Sequence, residues 1–93
     1  MRYNLVVYEI LWTEGNEAHI ARHGVTRSDV EQATERPYYE RDGRDDTTLI
    51  YGRTYAGRYL LIVLAESEDG RMYVVTARDM TPPERREFSR KAN

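Results

Sequence analysis

Apolar residues fall into runs that alternate with short polar segments. Residues 5–12 are rich in β-branched and aromatic side chains, a composition typical of a β-strand. Similar runs follow at 47–55, 58–66 and 71–78, and the short glycine-containing segments between them favour tight turns. Because residues 60–64 are apolar at every position, the middle run is expected to be buried on both faces. The pattern predicts a first strand and, later in the chain, an antiparallel meander of three strands.

Two short helices are predicted between the first strand and the meander. We expect a turn at residues 14–16 and then a helix to about His23, because Gly24 suits the left-handed backbone position that closes a helix. Thr26 has an acidic residue three positions later, a variant of the capping box that begins a helix. This second helix, over 27–36, is expected to end before the proline that follows it.

A polar loop and a basic helix complete the predicted order of elements. Residues 38–46 are polar and charged, which is typical of a loop. Thr81, Pro82 and Glu84 have the spacing of a second capping box, so residues 85–91 are predicted to be helical. The predicted order is β-α-α-β-β-β-α. It corresponds to a single α+β domain in which an antiparallel sheet carries helices packed on one face.

Composition narrows the class of protein. The chain has 93 residues, no cysteine and no run of about 18 apolar residues, so disulfides, thiolate chemistry and membrane-spanning helices are not expected. The start lacks the pattern of a signal peptide, and we expect a cytoplasmic protein. The net charge is −2, but residues 1–70 carry 8 basic and 13 acidic side chains, whereas residues 71–93 carry 6 and 3. The C-terminal quarter is therefore the expected contact for a polyanion or an acidic partner.

His19 and His23 are candidates for chemistry because they lie four residues apart on one predicted helical face. One interpretation is structural: Ile20 turns this face inward and leaves both imidazoles half-buried and hydrogen-bonded. A second is acid–base chemistry, since an imidazole titrates near neutral pH. A zinc site is disfavoured, because zinc takes three or four protein ligands and the chain has no cysteine and no third histidine. We therefore expect no metal.

Arg53 and Arg78 are candidates because a charged residue embedded in a strand must be solvated or paired. The predicted turns place Arg53 roughly opposite Leu60 and Arg78 opposite Leu60 or Leu61. Both arginines can then flank the central strand on one face, whereas a difference of one residue in the second turn would put them on opposite faces. Glu66 ends that strand and is a candidate partner. Two interpretations stand: a surface salt-bridge ladder, or an anion clamp that holds a phosphate while a carboxylate or imidazole moves protons.

Aromatic and basic residues extend the candidate surface for nucleic acid. Tyr51 and Tyr55 alternate with Arg53 along one strand, and aromatic rings between arginines are suited to stacking single-stranded RNA bases. Tyrosine is also typical of half-buried sheets, and this explanation is favoured for most of the eight tyrosines. On the basic C-terminal helix, Arg85 and Arg86 are candidate RNA contacts.

The chain also resembles a known family in the order and spacing of residues spread over most of its length. These are Trp12, Asn16, His19, Ile20, residues 23–25 (HGV), Gly52, Arg53, residues 76–80 (TARDM) and residues 83–86 (PERR). Together they resemble the BrnT family of bacterial type II toxins, small ribonucleases with a RelE-like fold. The resemblance covers about residues 10–90.

The resemblance implies a reaction and a set of partners. RelE-like nucleases use no metal or other cofactor and cleave mRNA through attack by the RNA's own 2′-hydroxyl group. The toxin is neutralised by a cognate BrnA-like antitoxin protein and reaches DNA only through that complex. The resemblance and the arginine pattern together give the candidate catalytic positions His19, His23, Arg53, Glu66 and Arg78. The candidate RNA-binding positions are Tyr51, Arg53, Tyr55, Arg78, Arg85 and Arg86.

An alternative hypothesis keeps the fold without the nuclease. Here the chain is a catalytically inactive RelE-like interaction or regulatory module that binds a protein partner through its C-terminal helix. The net acidity, the acidic side chains of residues 40–46, and Thr13, where the family commonly has an acidic residue, favour it. Since a fold does not fix a function, the two hypotheses differ only in the chemistry of the site.

Overall fold

The structure, a computed structural model, describes residues 8–35 and 37–91. Within these residues the chain forms a small α+β domain with a five-stranded mixed sheet and three helices, none of them long and apolar enough to cross a bilayer. The strands are β1 (Ile10–Leu11), β2 (Tyr39–Asp42), β3 (Thr47–Arg53), β4 (Tyr59–Glu66) and β5 (Met72–Asp79). The helices are α1 (Glu14–Ala21), α2 (Arg27–Ala33) and α3 (Pro82–Lys91).

The strand order in the sheet is β1-β5-β4-β3-β2. The predicted meander of β3, β4 and β5 is confirmed, with β4 at the centre. The prediction of a fully antiparallel sheet is wrong, because β1 runs parallel to β5. Of the predicted first strand over 5–12, residues 5–7 lie outside the described part of the chain, and the paired residues are Ile10 and Leu11.

The segment predicted as a polar loop contains the edge strand β2. Its side chains are mostly exposed, so a polar sequence costs little there, and the backbone ladder with β3 holds it in place. Tyr39 faces Tyr51 across the ladder with ring centroids 5.5 Å apart. Asp45 and Asp46 both have positive φ (55° and 62°), which matches the type I′ turn that best joins two twisted strands.

The helices lie on both faces of the sheet, so the prediction of helices on one face is wrong. α1 and α2 cover one face, where Ile50, Leu60 and Ile62 are fully buried. α3 covers part of the opposite face, where Phe88 packs with Leu61. The physical reason is the apolar sequence of β4, which presents large side chains to both sides and requires a cover on each.

α1 begins earlier than predicted because of a cap that the sequence pattern did not reveal. Thr13 and Asn16 form a reciprocal capping box, so residues 14–16 are the first helical turn rather than a loop. The buried Asn16 amide also donates to the Leu11 carbonyl oxygen at 2.9 Å, which ties the helix to β1. The helix closes as predicted, with Gly24 at φ 68°.

The two other helices also begin at capping boxes, as predicted. Thr26 and Asp29 cap α2, and Thr81 and Glu84 cap α3. α2 ends at Ala33 rather than at residue 36. The next residue, Thr34, is buried and its hydroxyl donates to carbonyl oxygens of the last helical turn, which closes the helix before the proline.

A bulge in β5 changes the face of every side chain that follows it. Val63 pairs with Thr76 and Leu64 pairs with Val74, so Val75 is an extra residue between them. Val74 and Ala77 are three residues apart and yet both face the α1–α2 layer, which a regular strand does not allow. From residue 76 onward, the alternation of faces is therefore shifted by one residue.

α2 approaches β3 so closely that one position of the strand must be glycine. A Cβ atom at Gly52 would lie 1.9 Å from the carbonyl oxygen of Ala33 and 2.8 Å from its carbonyl carbon. Both atoms are backbone, so neither can move without displacing the end of α2. This contact fixes the height of α2 above the sheet next to Arg53, the last residue of β3.

We expect Gly52→Ala to lower the free energy of unfolding by about 1–3 kcal/mol or more, because overpacked backbone contacts cost this much. Gly15→Ala is the matched control: its nearest neighbour is the flexible Thr13 hydroxyl at 3.6 Å, and alanine favours helix. The control should be neutral or stabilising by up to about 1 kcal/mol. Urea denaturation of the three proteins measures both effects, and equal stability of the two variants would contradict the close contact.

Candidate functional site

The connection between β3 and β4 sets the position of Arg53. It spans five residues, 54–58, rather than forming a tight two-residue turn, and Thr54 closes it by accepting from the Arg58 amide at 3.0 Å. Arg53 therefore pairs with Tyr59, one residue away from the predicted Leu60. Because directly paired residues share a face, the side chains of Arg53 and Tyr59 lie side by side on the face that α3 covers.

Arg78 lies on this same face, which is one of the two placements that the sequence leaves open. It pairs with Leu61, and Leu61 shares a face with Tyr59, two residues earlier on β4. The shift of one residue at Val75 is what brings it there; in a regular strand Arg78 would point into the α1–α2 layer. The two arginines are nevertheless two strands apart, roughly 10 Å across the sheet.

Arg78 does not present an open guanidinium group. Its two terminal nitrogens donate to the two carboxylate oxygens of Glu84 at 2.8 and 2.9 Å. The same carboxylate accepts from the Thr81 amide at 2.8 Å, as the cap of α3 requires. Glu84 thus ties the first turn of α3 to β5, and the positive charge of Arg78 is neutralised within the fold.

Tyr59 lies at the centre of a small cationic cluster. Arg53 approaches its hydroxyl with a terminal nitrogen at 3.4 Å, and the guanidinium carbon of Arg85 lies 4.3 Å from the centre of its ring. Phe88 packs edge-on against the ring at 5.8 Å. Among residues 8–35 and 37–91, neither Arg53 nor Arg85 has a carboxylate within 4.0 Å. Both charges are therefore available to an anion.

Two open cavities meet at Tyr59. One, which we call the basic groove, has a volume of about 680 Å³ and follows α3. The other, which we call the side chamber, has a volume of about 440 Å³ and lies between the end of α2, the β3–β4 connection and α3. The groove is lined by Tyr59, Pro82, Pro83, Arg85, Arg86, Glu87, Ser89 and Arg90. The chamber is lined by Gln32, Glu35, Pro37, Arg53, Thr54, Tyr55, Tyr59, Phe88 and Ser89.

The two tyrosines predicted to contact RNA differ in exposure. Tyr51 is only 5% exposed beneath α3, which leaves its ring little surface on which a base could stack. Tyr55 is 74% exposed and lines the side chamber. It follows the end of β3, and its hydroxyl donates to Glu35.

The predicted acid–base residues lie away from the cluster. Glu66 is exposed at the far end of β4, seven residues or roughly 23 Å from Tyr59, and alternation along the strand places it on the opposite face. His19 and His23 are exposed on the α1 side of the molecule, with ring centroids 6.0 Å apart. The prediction of half-buried histidines is wrong, because Ile20 and Asn16 take the inward face of α1.

The sequence pattern does not indicate the role of Arg58, whose side chain links the segment after α1 to the end of β5. Its guanidinium group donates to the carbonyl oxygens of His23 and Gly24 at 2.9 and 2.6 Å and to the Asp79 carboxylate at 2.7 Å. This arrangement anchors the end of α1 to the end of β5. No three metal-ligating side chains lie together in the described part of the chain.

The charges around Tyr59 favour its deprotonated form. The nearby Arg53 and Arg85 guanidinium groups lower the pKa of the Tyr59 phenol below its ordinary value, with Arg53 as the larger cause. The opposite holds for Tyr55, whose pKa is raised by the hydrogen bond to Glu35. Tyr59 is therefore a phenol better suited than Tyr55 to giving up a proton.

We expect Tyr59 to titrate at lower pH than Tyr55, and Arg53→Gln to move the Tyr59 titration to higher pH. The measurement is an NMR titration of ¹³Cζ-labelled tyrosine, with Tyr59→Phe and Tyr55→Phe to assign the two resonances. Since Arg53 is the larger cause of the shift, a Tyr59 titration that does not change in Arg53→Gln would contradict the cluster geometry.

The Arg78–Glu84 pair gives stability a specific pH dependence. Arg78 lowers the pKa of the Glu84 carboxyl, so the pair stabilises the fold above the unfolded pKa and loses this contribution as pH falls through the folded pKa.

We expect Glu84→Gln to reduce the loss of stability below about pH 4.3, the ordinary pKa of a glutamate side chain. In an Arg78→Met background the same substitution should have little effect on how steeply the free energy of unfolding falls with pH. Denaturant titrations at several pH values measure it, and an equal effect in both backgrounds would contradict the pairing.

Comparisons with known proteins do not assign this site to a family. No family model, curated protein or solved structure matches the chain. The chemistry of the Tyr59 cluster is therefore the basis on which a function is inferred.

Proposed function

We propose that this protein is a metal-independent endoribonuclease toxin with a RelE-like fold, neutralised by a cognate antitoxin protein as part of a type II toxin–antitoxin system. The observation that carries the proposal is the cluster of Arg53, Tyr59 and Arg85. Two guanidinium groups, with no acidic partner among the described residues, flank a phenol that has a lowered pKa and lines two open cavities. This arrangement suits a phosphodiester and a proton-transfer group side by side.

The cluster offers a positive surface in a chain of net charge −2. Two carboxylates near it are paired with other arginines: Glu84 with Arg78, and Glu87 with Arg90. The guanidinium groups of Arg53 and Arg85 are left to project into the cavities. Guanidinium forks match the geometry of phosphate oxygens, so a local surface of this kind attracts a phosphodiester despite the overall acidity.

The chemistry of RNA cleavage fits these three side chains without a metal. The 2′-hydroxyl oxygen attacks the adjacent phosphorus, the bond to the 5′-oxygen breaks, and the products are a 2′,3′-cyclic phosphate and a 5′-hydroxyl end. A base must take the 2′-hydroxyl proton, and an acid must supply one to the leaving 5′-oxygen. Arg53 and Arg85 stabilise the extra negative charge on the phosphoryl oxygens. The Tyr59 phenol supplies the proton to the leaving 5′-oxygen, and a water molecule takes the 2′-hydroxyl proton and passes it back to Tyr59.

The roles predicted from the sequence change accordingly. Arg53 keeps its predicted role at the phosphate, and Arg85 takes the place proposed for Arg78. Arg78 is a positioning residue, because it holds α3 and therefore Arg85. Tyr59 replaces Glu66 and the two histidines as the proton-transfer group.

Growth on induction tests the proposed activity in cells. We expect the wild-type chain to arrest a bacterial host and degrade its mRNA, and Arg85→Ala and Tyr59→Phe each to relieve the arrest. Arg44→Ala is the matched control, because this exposed arginine lies in the β2–β3 turn at the other end of the sheet. Growth curves with mRNA integrity measure the effect. Loss of one charge-stabilising group should reduce cleavage about 10²-fold or more.

A purified-protein assay separates this mechanism from other nucleases. We expect cleavage of a short single-stranded RNA to persist in excess chelator, to leave a 2′,3′-cyclic phosphate, and to be abolished by a single 2′-deoxy substitution at the cut site. Cleavage that requires a divalent cation would overturn the proposal. So would a product with a 3′-hydroxyl end.

The inactive interaction module is the second candidate. One observation favours it: Tyr73 and Val75 on β5 are 37% and 42% exposed, and apolar surface of this kind on a sheet suits a protein partner. This hypothesis gives harmless expression of the wild type, Arg85→Ala and Arg44→Ala alike. That result in cells, together with intact RNA in the purified assay, would select it.

A further inference from the structure

The side chamber has the shape and lining of a pocket for a nucleobase. Tyr55, Tyr59, Phe88 and Pro37 supply aromatic and apolar surface, and the volume of about 440 Å³ is within the range of small-ligand sites. Flat rings of this kind stack on bases. Tyr59 and Ser89 line both the chamber and the basic groove, so the two cavities are neighbours.

Glu35 is the group that gives the chamber chemical selectivity. The hydroxyl of Tyr55 lies 2.7 and 2.8 Å from its two carboxylate oxygens. An ionised carboxylate accepts about four hydrogen bonds, so this single donor leaves most of its lone pairs unused. No basic side chain in the described part of the chain lies within 4.0 Å of it. Because the Tyr55 hydroxyl lies between the two oxygens, a ligand with two donors binds this edge of the carboxylate by displacing that exposed hydroxyl.

Gln32, a second polar side chain of the chamber, already forms hydrogen bonds within the fold. Its carbonyl oxygen accepts from the Tyr55 amide at 2.8 Å, and its amide nitrogen donates to the Ser28 hydroxyl at 3.1 Å. Arg53 lines the chamber at the side nearest Tyr59. The chamber therefore offers an anionic acceptor, the Glu35 carboxylate, together with the cation of Arg53.

We propose that the side chamber binds a guanine base of the RNA, with Glu35 accepting from its Watson–Crick edge. Guanine presents two adjacent donors, N1–H and the N2 amino group, at a spacing that matches the two oxygens of a carboxylate. Adenine and cytosine each present an amino donor beside a ring-nitrogen acceptor, and uracil presents N3–H between two carbonyl oxygens. These acceptors repel a carboxylate. Glu35 therefore discriminates by charge as well as by hydrogen bonding.

The inference rests on the proposed function and narrows its substrate. A nucleotide whose base fills the chamber has its phosphate beside Arg53, at the junction with the basic groove. The phosphodiester attached to that nucleotide then lies at the Arg53–Tyr59–Arg85 cluster. The protein is thereby a nuclease that cleaves next to guanosine in single-stranded RNA.

The experiment uses the full-length protein and a series of short RNAs that differ in one base at the cut site: guanine, inosine, adenine or uracil. Inosine lacks only the N2 amino group. Binding is measured on oligonucleotides with a 2′-O-methyl group at the cut site, and cleavage on the unmodified ones. Glu35→Gln replaces the carboxylate with an amide of the same shape. Glu17→Gln, an exposed residue of α1, is the matched control.

We expect the wild type and Glu17→Gln to bind the guanine oligonucleotide roughly tenfold or more tightly than the adenine and uracil ones, with inosine between them. Glu35→Gln should remove most of this preference. Cleavage and binding without guanine preference, or a preference that persists in Glu35→Gln, would overturn the inference and leave the nuclease in place. Guanine-selective binding that depends on Glu35 but occurs without cleavage would support the base pocket and refute the nuclease. Neither binding nor cleavage would refute both.

Discussion

The ion pair between Arg78 and Glu84 is the contact on which the second helix layer depends. α3 has ten residues, and Phe88 is its only buried side chain, so the isolated helix would be unstable. Glu84 caps the helix and binds Arg78 with the same carboxylate, which fixes the first turn against β5. Because Arg85 follows Glu84 directly, this contact also sets its guanidinium group over Tyr59. The basic groove and the side chamber both follow from that placement.

Much of the fold could be predicted from local signals. The caps at Thr26 and Thr81, the left-handed Gly24 and the central apolar strand β4 are encoded within a few residues, and the structure contains all of them. The predictions that are wrong concern contacts between segments far apart in the sequence. An edge strand needs only a backbone ladder, so the polar β2 carries no apolar signature. The sequence of β4 indicated burial on both faces, but not that a helix with a single buried phenylalanine would cover one of them.

The candidate site was less predictable, because partners across the sheet decide what each side chain does. The position of Arg53 in a strand makes it a candidate, but the spacing does not indicate Tyr59. A tight turn predicts Leu60 as the partner of Arg53, and the five connecting residues shift the register of β3 against β4 by one residue, to Tyr59. The face of Arg78 depends on the register between β4 and β5, which the spacing leaves open, and its pairing with Glu84 depends on where α3 docks. His19 is exposed because Asn16 and Ile20 are the residues of α1 that face the core. Such facts depend on tertiary packing, which no residue spacing encodes.

The bulge at Val75 has a consequence for how this chain tolerates changes in length. Loops accept inserted or deleted residues because their side chains have no fixed face. The middle of β5 has the same tolerance for one deletion, because Val75 is an extra residue outside the regular alternation. Without it, Val74 and Ala77 would still face the α1–α2 layer and Arg78 the α3 side, as a regular strand requires. Loss of a second residue would turn Arg78 into the apolar layer beneath α1. A functional relative can therefore lack one residue in the middle of β5, but not two.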